Sequence, residues 1–169
     1  MIKVIIDIPW KLNHNPKRRF KMSCITAKDI MHPRLSLPAK MKGDELVEKL
    51  MCPYPALPVV NDDLNVIGVV SEYDVITALK EGRTTHEFSA ESLMTCGHSE
   101  HGACDTPVTV LPQTVIEDIV DLFLHRNLSI LPVVEGKKLV GIISRKNILN
   151  ILTEKGFWHE HEFQKRTPK

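Results

Sequence analysis

The chain has 169 residues, 43% of them hydrophobic and 25% charged, the balance of a soluble globular protein rather than a disordered or fibrous one. A formal net charge of +1 gives no sign of a nucleic-acid or membrane surface, and no apolar run approaches the ~20 residues of a membrane-spanning helix. Four cysteines at this length fit a reducing compartment better than a disulfide scaffold, so a cytoplasmic protein is expected.

Residues 1–23 read as an N-terminal extension. Val4, Ile6 and Ile8 alternate with Ile5 and Asp7 as a strand would, but the stretch is short and has no small-residue cleavage site, so it is a poor signal peptide. Asn13 to Phe20 reads as a solvated basic linker. A first unit, residues 24–84, opens on Thr26-Ala-Lys-Asp29, a capping box that leads into a short helix ended by Pro33. Leu35-Ser36-Leu37 is predicted as a brief strand closed by Pro38. Asp44 is predicted to cap a helix carrying Leu46, Val47, Leu50 and Met51, which stops before Pro53 and Pro55. Strands follow at Ala56 to Val60 and Val66 to Val70, around the turn Asn61-Asp-Asp63. A helix then starts at Ser71, carries Val75, Ile76 and Leu79, and ends at Gly82 as a left-handed cap.

A second unit, residues 85–154, repeats this order. Ser89 to Met94 parallels Thr26 to Met31, and Val108-Thr109-Val110 parallels Leu35-Ser36-Leu37. Thr114 and Glu117 form a predicted capping box for a helix bearing Ile116, Ile119, Val120 and Phe123. Strands are expected at Leu131 to Val134 and Leu139 to Ile143, then a helix with Ile148, Ile151 and Leu152 running to Gly156. Residues 155–169 read as a tail, and an insertion (96–107) has no counterpart in the first unit.

The sharpest self-match joins Leu57-Pro58-Val59-Val60 and Gly68-Val69-Val70-Ser71-Glu72-Tyr73-Asp74 to Leu131-Pro132-Val133-Val134 and Gly141-Ile142-Ile143-Ser144-Arg145-Lys146-Asn147, at a separation of about 73 residues. Neither half of ~60 residues holds much core alone. The two are therefore expected to pack through the open faces of their sheets, as one α+β body with pseudo-two-fold symmetry.

This doubled pattern, over residues 24 to 154, resembles a pair of cystathionine-β-synthase (CBS) domains, each a β-α-β-β-α repeat. The resemblance implies a stand-alone sensor that binds an adenosine-containing ligand (AMP, ADP, ATP or S-adenosylmethionine) in clefts between the repeats. It also implies a homodimer and an effector protein still to be identified. By resemblance, Asp74 contacts ribose and Ser71 contacts ribose or phosphate. Gly68 belongs to the same motif, Ser36 and Thr109 lie on the first strands, and Pro58 and Pro132 line the adenine pocket. The residues themselves agree in outline. A free helix N-terminus after Ser71 or Ser144 favours an anion, and a carboxylate one turn later offers two acceptors to a ribose diol. Ser-x-x-Asp is equally a capping pattern. Asn147 replaces the aspartate in the second unit, beside the basic Arg145 and Lys146. Two unequal clefts are therefore expected, the first read through ribose and the second more electropositive.

The insertion contains Cys96, His98, His101 and Cys104, two thiols and two imidazoles that match the donor set of a four-coordinate zinc site, though not the spacing of a standard zinc finger. A polar loop without metal is the plainer reading. No catalytic constellation is present, so the chain is not expected to be an enzyme. The competing readings are a metal- or redox-responsive protein that uses this insertion, and a dimerisation module that binds nothing small.

Overall fold

The computed structural model describes residues 25–95 and 106–152. In chain order these form α1 (Ala27–Ile30), β1 (His32–Pro33), β2 (Leu37–Pro38), α2 (Gly43–Leu50), β3 (Ala56–Val60), β4 (Val66–Ser71) and α3 (Glu72–Lys80). A 3-10 turn at Thr85–Glu87 leads to α4 (Ala90–Leu93), α5 (Ile116–Arg126), β5 (Ile130–Glu135), β6 (Lys138–Ser144) and α6 (Arg145–Leu152). The fold is the expected α+β arrangement, with two three-stranded sheets ordered β2-β3-β4 and β1-β6-β5.

Each sheet is built on an antiparallel hairpin of buried β-branched and leucine residues, β3–β4 or β5–β6. The hairpins carry a register shift at the same place, between Val59 and Val60 in one and Val133 and Val134 in the other. Their turns differ in chemistry. Asn61 Oδ1 accepts from the backbone N–H groups of Asp63 and Asn65 (3.1 and 2.9 Å), while Gly136 supplies a left-handed φ of 65° in the second.

The predicted strands at Leu35 to Leu37 and Val108 to Val110 are shorter than expected, and proline explains both. Val110 donates to the Pro132 carbonyl (3.0 Å) and accepts from Val134 N–H (2.8 Å). The next rung of that parallel ladder would need an N–H on Pro132, which proline lacks. Pairing therefore stops at a single bridge, Val110 to Val133. In the first sheet the equivalent rung would fall on Pro58, so β2 begins only at Leu37, and Pro38 lies within it, opposite Val60.

Two predicted caps are also corrected. Helix α2 starts one residue before Asp44, with Lys42 at the cap position and no side-chain cap bond. Helix α5 has Val115 at its cap, and Thr114 Oγ1 instead accepts from Leu111 N–H (3.0 Å). The box at Thr26 and Asp29 forms as read, as does the left-handed Gly82 (φ 84°) after α3.

The opening helices are exchanged. Ala27, Ile30 and Met31 pack among Val110, Ile119, Phe123, Leu131 and Ile143 of the second unit, and β1 pairs with β6. Reciprocally, Phe88, Ala90 and Leu93 pack into the core of Leu37, Leu46, Leu57 and Val70. Between the sheets lie Ala56, Val69 and Ile130, and, at the hairpin turns, Val60, Leu139 and Ile142. The turns are stitched together by backbone bonds, Val66 N–H to the Lys137 carbonyl and Leu139 N–H to the Leu64 carbonyl (both 3.1 Å). Among the described residues no helix is long and apolar enough to cross a membrane.

Candidate functional site

Two cavities lie where the hairpin turns meet, each lined by residues of both units. The larger, ~540 Å³, runs along the start of β4 (Val66, Ile67) and is walled by Met94, Thr109, Val134 and Lys137. The smaller, ~300 Å³, lies at the start of β6 (Leu139) and is walled by Arg34, Leu35, Ser36, Lys49, Val60 and Leu64. They occupy pseudo-equivalent places, because Thr109, Val134 and Val66 correspond to Ser36, Val60 and Leu139 in the internal repeat. Their volumes span the low and middle part of the roughly 300–1,000 Å³ common for small-molecule sites. Their charge differs too. The smaller carries Arg34 and Lys49 and no carboxylate, whereas the larger sets Glu91 against Lys137.

Two of the residues expected to bind a ligand therefore line cavities, Thr109 the larger and Ser36 the smaller. Gly68 lies beside the larger: a Cβ there would come within 2.8–2.9 Å of the Met94 side chain, so the glycine leaves room for a cavity wall. Pro58 and Pro132 are buried inside their strands. Arg145 and Lys146 are exposed on the first turn of α6.

Ser71, Asp74, Ser144 and Asn147 form two matched capping boxes. Asp74 Oδ2 accepts from Ser71 N–H (2.7 Å) and Ser71 Oγ–H (2.6 Å); Asn147 Oδ1 accepts from Ser144 N–H (2.8 Å) and Ser144 Oγ–H (2.7 Å). All but Ser71 are buried, Asp74 at 6% exposure and Asn147 at 5%. The second oxygen of Asp74, Oδ1, takes no hydrogen bond among the described residues. No fully buried side-chain polar atom lacks a partner there, so Oδ1 reaches solvent. The matching atom of Asn147 is an amide nitrogen that donates to the Ile30 carbonyl (2.8 Å). Ser71 ends β4, four residues beyond Ile67 and roughly 13 Å along the strand from the cavity floor.

No sequence motif marks Met94, Asn61, Asn65 and Lys137 at the larger cavity, or Arg34 and Lys49 at the smaller. They converge only because the turns meet and the opening segments exchange. Tyr54 was also unforeseen. It packs against both the first core and the turn cluster, its ring edge-on to His32 at 5.7 Å, and burial followed by the neighbouring Cys52 pushes its phenol pKa up. Cys96, His98, His101 and Cys104 lie outside the described residues. Among those described, no group of three or more His, Cys, Asp or Glu is placed to hold a metal ion.

Comparison with known proteins agrees with this architecture. The family model for the CBS domain matches twice, at residues 27–81 and 103–154. The chain is 27% identical to the chloroplastic CBS domain-containing protein CBSX2 of Arabidopsis thaliana over 88% of its own length and 72% of that protein's. It spans only 24% and 28% of two further curated relatives. A crystal structure of CBSX2 in complex with AMP superposes with a TM-score of 0.60 at 28% identity, covering 75% of this chain and 95% of that one. Two structures of lower identity share the fold. One is the CBS domain pair of MJ0100 in complex with 5′-methylthioadenosine and S-adenosyl-L-methionine (TM-score 0.61, 20% identity, 76% and 95% covered). The other is Hypoxic Response Protein I with two coordinated zinc ions (TM-score 0.64, 21% identity, 76% and 100% covered).

Proposed function

Because this chain belongs to the CBS domain family, with two copies of the domain in tandem, we propose that it is a regulatory module binding an adenosine-containing ligand in its inter-repeat cavities. One observation carries the reading. The larger cavity lies at the start of β4, and that strand leads to Asp74, whose Oδ1 is solvent-accessible and unbonded among the described residues. A ligand reaching from that cavity along β4 would set its base beside the strand and offer its ribose hydroxyls to that oxygen. Apolar walls favour the base and a carboxylate favours the diol. CBSX2, the relative matching over most of the chain, has been crystallised with AMP, which supports the same ligand class.

The ligand regulates by binding two conformations of the module with different affinity, and an effector protein reads the shift. We place both in the cytoplasm. A second copy of the chain covers the apolar outer surfaces of α3 and α6, where Ile76, Leu79 and Leu149 are 63%, 48% and 60% exposed. Ile76 and Leu149 hold the same position in the two repeats.

A thermal-shift panel of AMP, ADP, ATP and S-adenosylmethionine, with and without a chelator, tests the ligand reading through linkage. At a hundredfold excess over Kd, the bound nucleotide should add about 2.7 kcal/mol of stability whether or not chelator is present. Loss of stability on chelation, with no response to any nucleotide, would favour a metal site in the insertion instead.

A further inference from the structure

The two repeats differ at one atom in a way that separates their roles. In the second capping box, Asn147 spends its carbonyl oxygen on Ser144 and its amide nitrogen on the Ile30 carbonyl, the last residue of the exchanged helix α1. The amide orientation is fixed by its partners. A flipped amide would set N–H against Ser144 N–H and C=O against the Ile30 carbonyl. In the first repeat the matching bond would run from residue 74 to Leu93 of α4, and a carboxylate has no proton to donate. We infer that Asn147 is a positioning residue that fastens α1 to the second unit, leaving the Asp74 side as the one ribose-reading site of the chain.

A second observation points the same way without using that bond. The cavity beside β4, the strand of Asp74, is ~540 Å³, and the one beside β6, the strand of Asn147, is ~300 Å³. The wall of the smaller begins at Arg34, directly after β1, the segment that α1 draws against β6. The single-site assignment rests on the adenosine reading above, whereas the fastening role stands without it.

The test has two arms. In the ligand-free protein, Asn147→Asp keeps the capping acceptor and removes the donor, so amide hydrogen exchange at Met31 and His32 should rise at least severalfold. Asp74→Asn, the mirror change, should not raise exchange at Met94 and Thr95. Unchanged protection of Met31 and His32 in Asn147→Asp would overturn the fastening role. In the second arm, AMP is titrated into the wild type by calorimetry, with one molecule bound per chain expected. Asn147→Ala should keep that stoichiometry and stay within about threefold in affinity. Two molecules per chain, or a loss of affinity of tenfold or more in Asn147→Ala, would overturn the single-site assignment. Absence of AMP binding by the wild type would overturn it together with the adenosine reading, while the exchange arm still decides Asn147. If Asn147→Asp folds poorly, Asn147→Ser, which keeps a short acceptor and cannot reach Ile30, serves the same comparison.

Discussion

Asp74 and Asn147 stand at the same step of the same motif, three residues after a serine that ends a strand. Both accept two hydrogen bonds from that serine, so capping alone explains why an oxygen is needed there. Asp74→Asn should therefore leave its helix capped and shift the melting temperature less than Ser71→Ala does. The latter removes one capping partner, a change that typically costs about 0.5–2 kcal/mol. Differential scanning calorimetry of the two variants checks the order, and a larger loss in Asp74→Asn would show that the charge itself is structural. The serine-to-acid spacing was legible because capping is local in sequence. The Asn147 bond to Ile30 was not, because its partners are 117 positions apart and meet only through the exchange of α1.

At the scale of elements, glycine and proline set what the strands can do. A Cβ on Gly68 would press on the flexible Met94 side chain, whereas one on Gly141 would also come within 2.9 Å of the His32 carbonyl, which is backbone in the β1–β6 pair. Gly141→Ala should therefore destabilise more than Gly68→Ala, within the 1–3 kcal/mol typical of overpacking, as urea denaturation would report. Equal losses would mean that β1 yields as easily as a side chain. The prolines after the helices were legible as stops, whereas Pro38 lies within β2 instead of closing the strand before it. What limits each parallel ladder is the N–H that Pro58 or Pro132 lacks on the neighbouring strand.

Helix α1 adds a pH dependence. Hydrogen bonds from the Thr26 side chain, then its backbone, hold Asp29 below the ordinary carboxylate range. A folded pKa lowered in this way gives stability that is present above the unfolded value, about 3.9, and lost as pH falls through the folded one. Asp29 is exposed, so its share is small. Melting temperature should decline more steeply below about pH 4 in the wild type than in Asp29→Asn. Parallel acid limbs would remove Asp29 from the account.

Over the whole molecule, the doubled hairpin made the fold readable, because two half-cores with the same pattern have few ways to complete each other. The exchange of opening helices was not readable. The internal repeat looks the same whether α1 packs on its own hairpin or on the other, and only the cross-unit core decides. The unequal clefts were anticipated from Arg145, Lys146 and Asn147. Arg145 and Lys146 are exposed, and the charge of the smaller cavity comes from Arg34 and Lys49. For the proposed two-copy assembly, the wild type should sediment as a dimer and Ile76→Asp as a monomer, with no lower melting temperature in the variant chain. A variant that still sediments as the wild type does would move the interface off α3.

A nucleoside read by Asp74 is the central claim open to direct measurement. A charge-assisted hydrogen bond contributes roughly 1.5–3 kcal/mol, so its loss should weaken binding by about ten- to a hundredfold. Calorimetric titration of AMP into the wild type and Asp74→Asn measures this directly. The expected result is saturable binding by the wild type and an affinity at least about tenfold lower in a variant that remains folded. Equal affinities in the two proteins, or no binding by either, would contradict it.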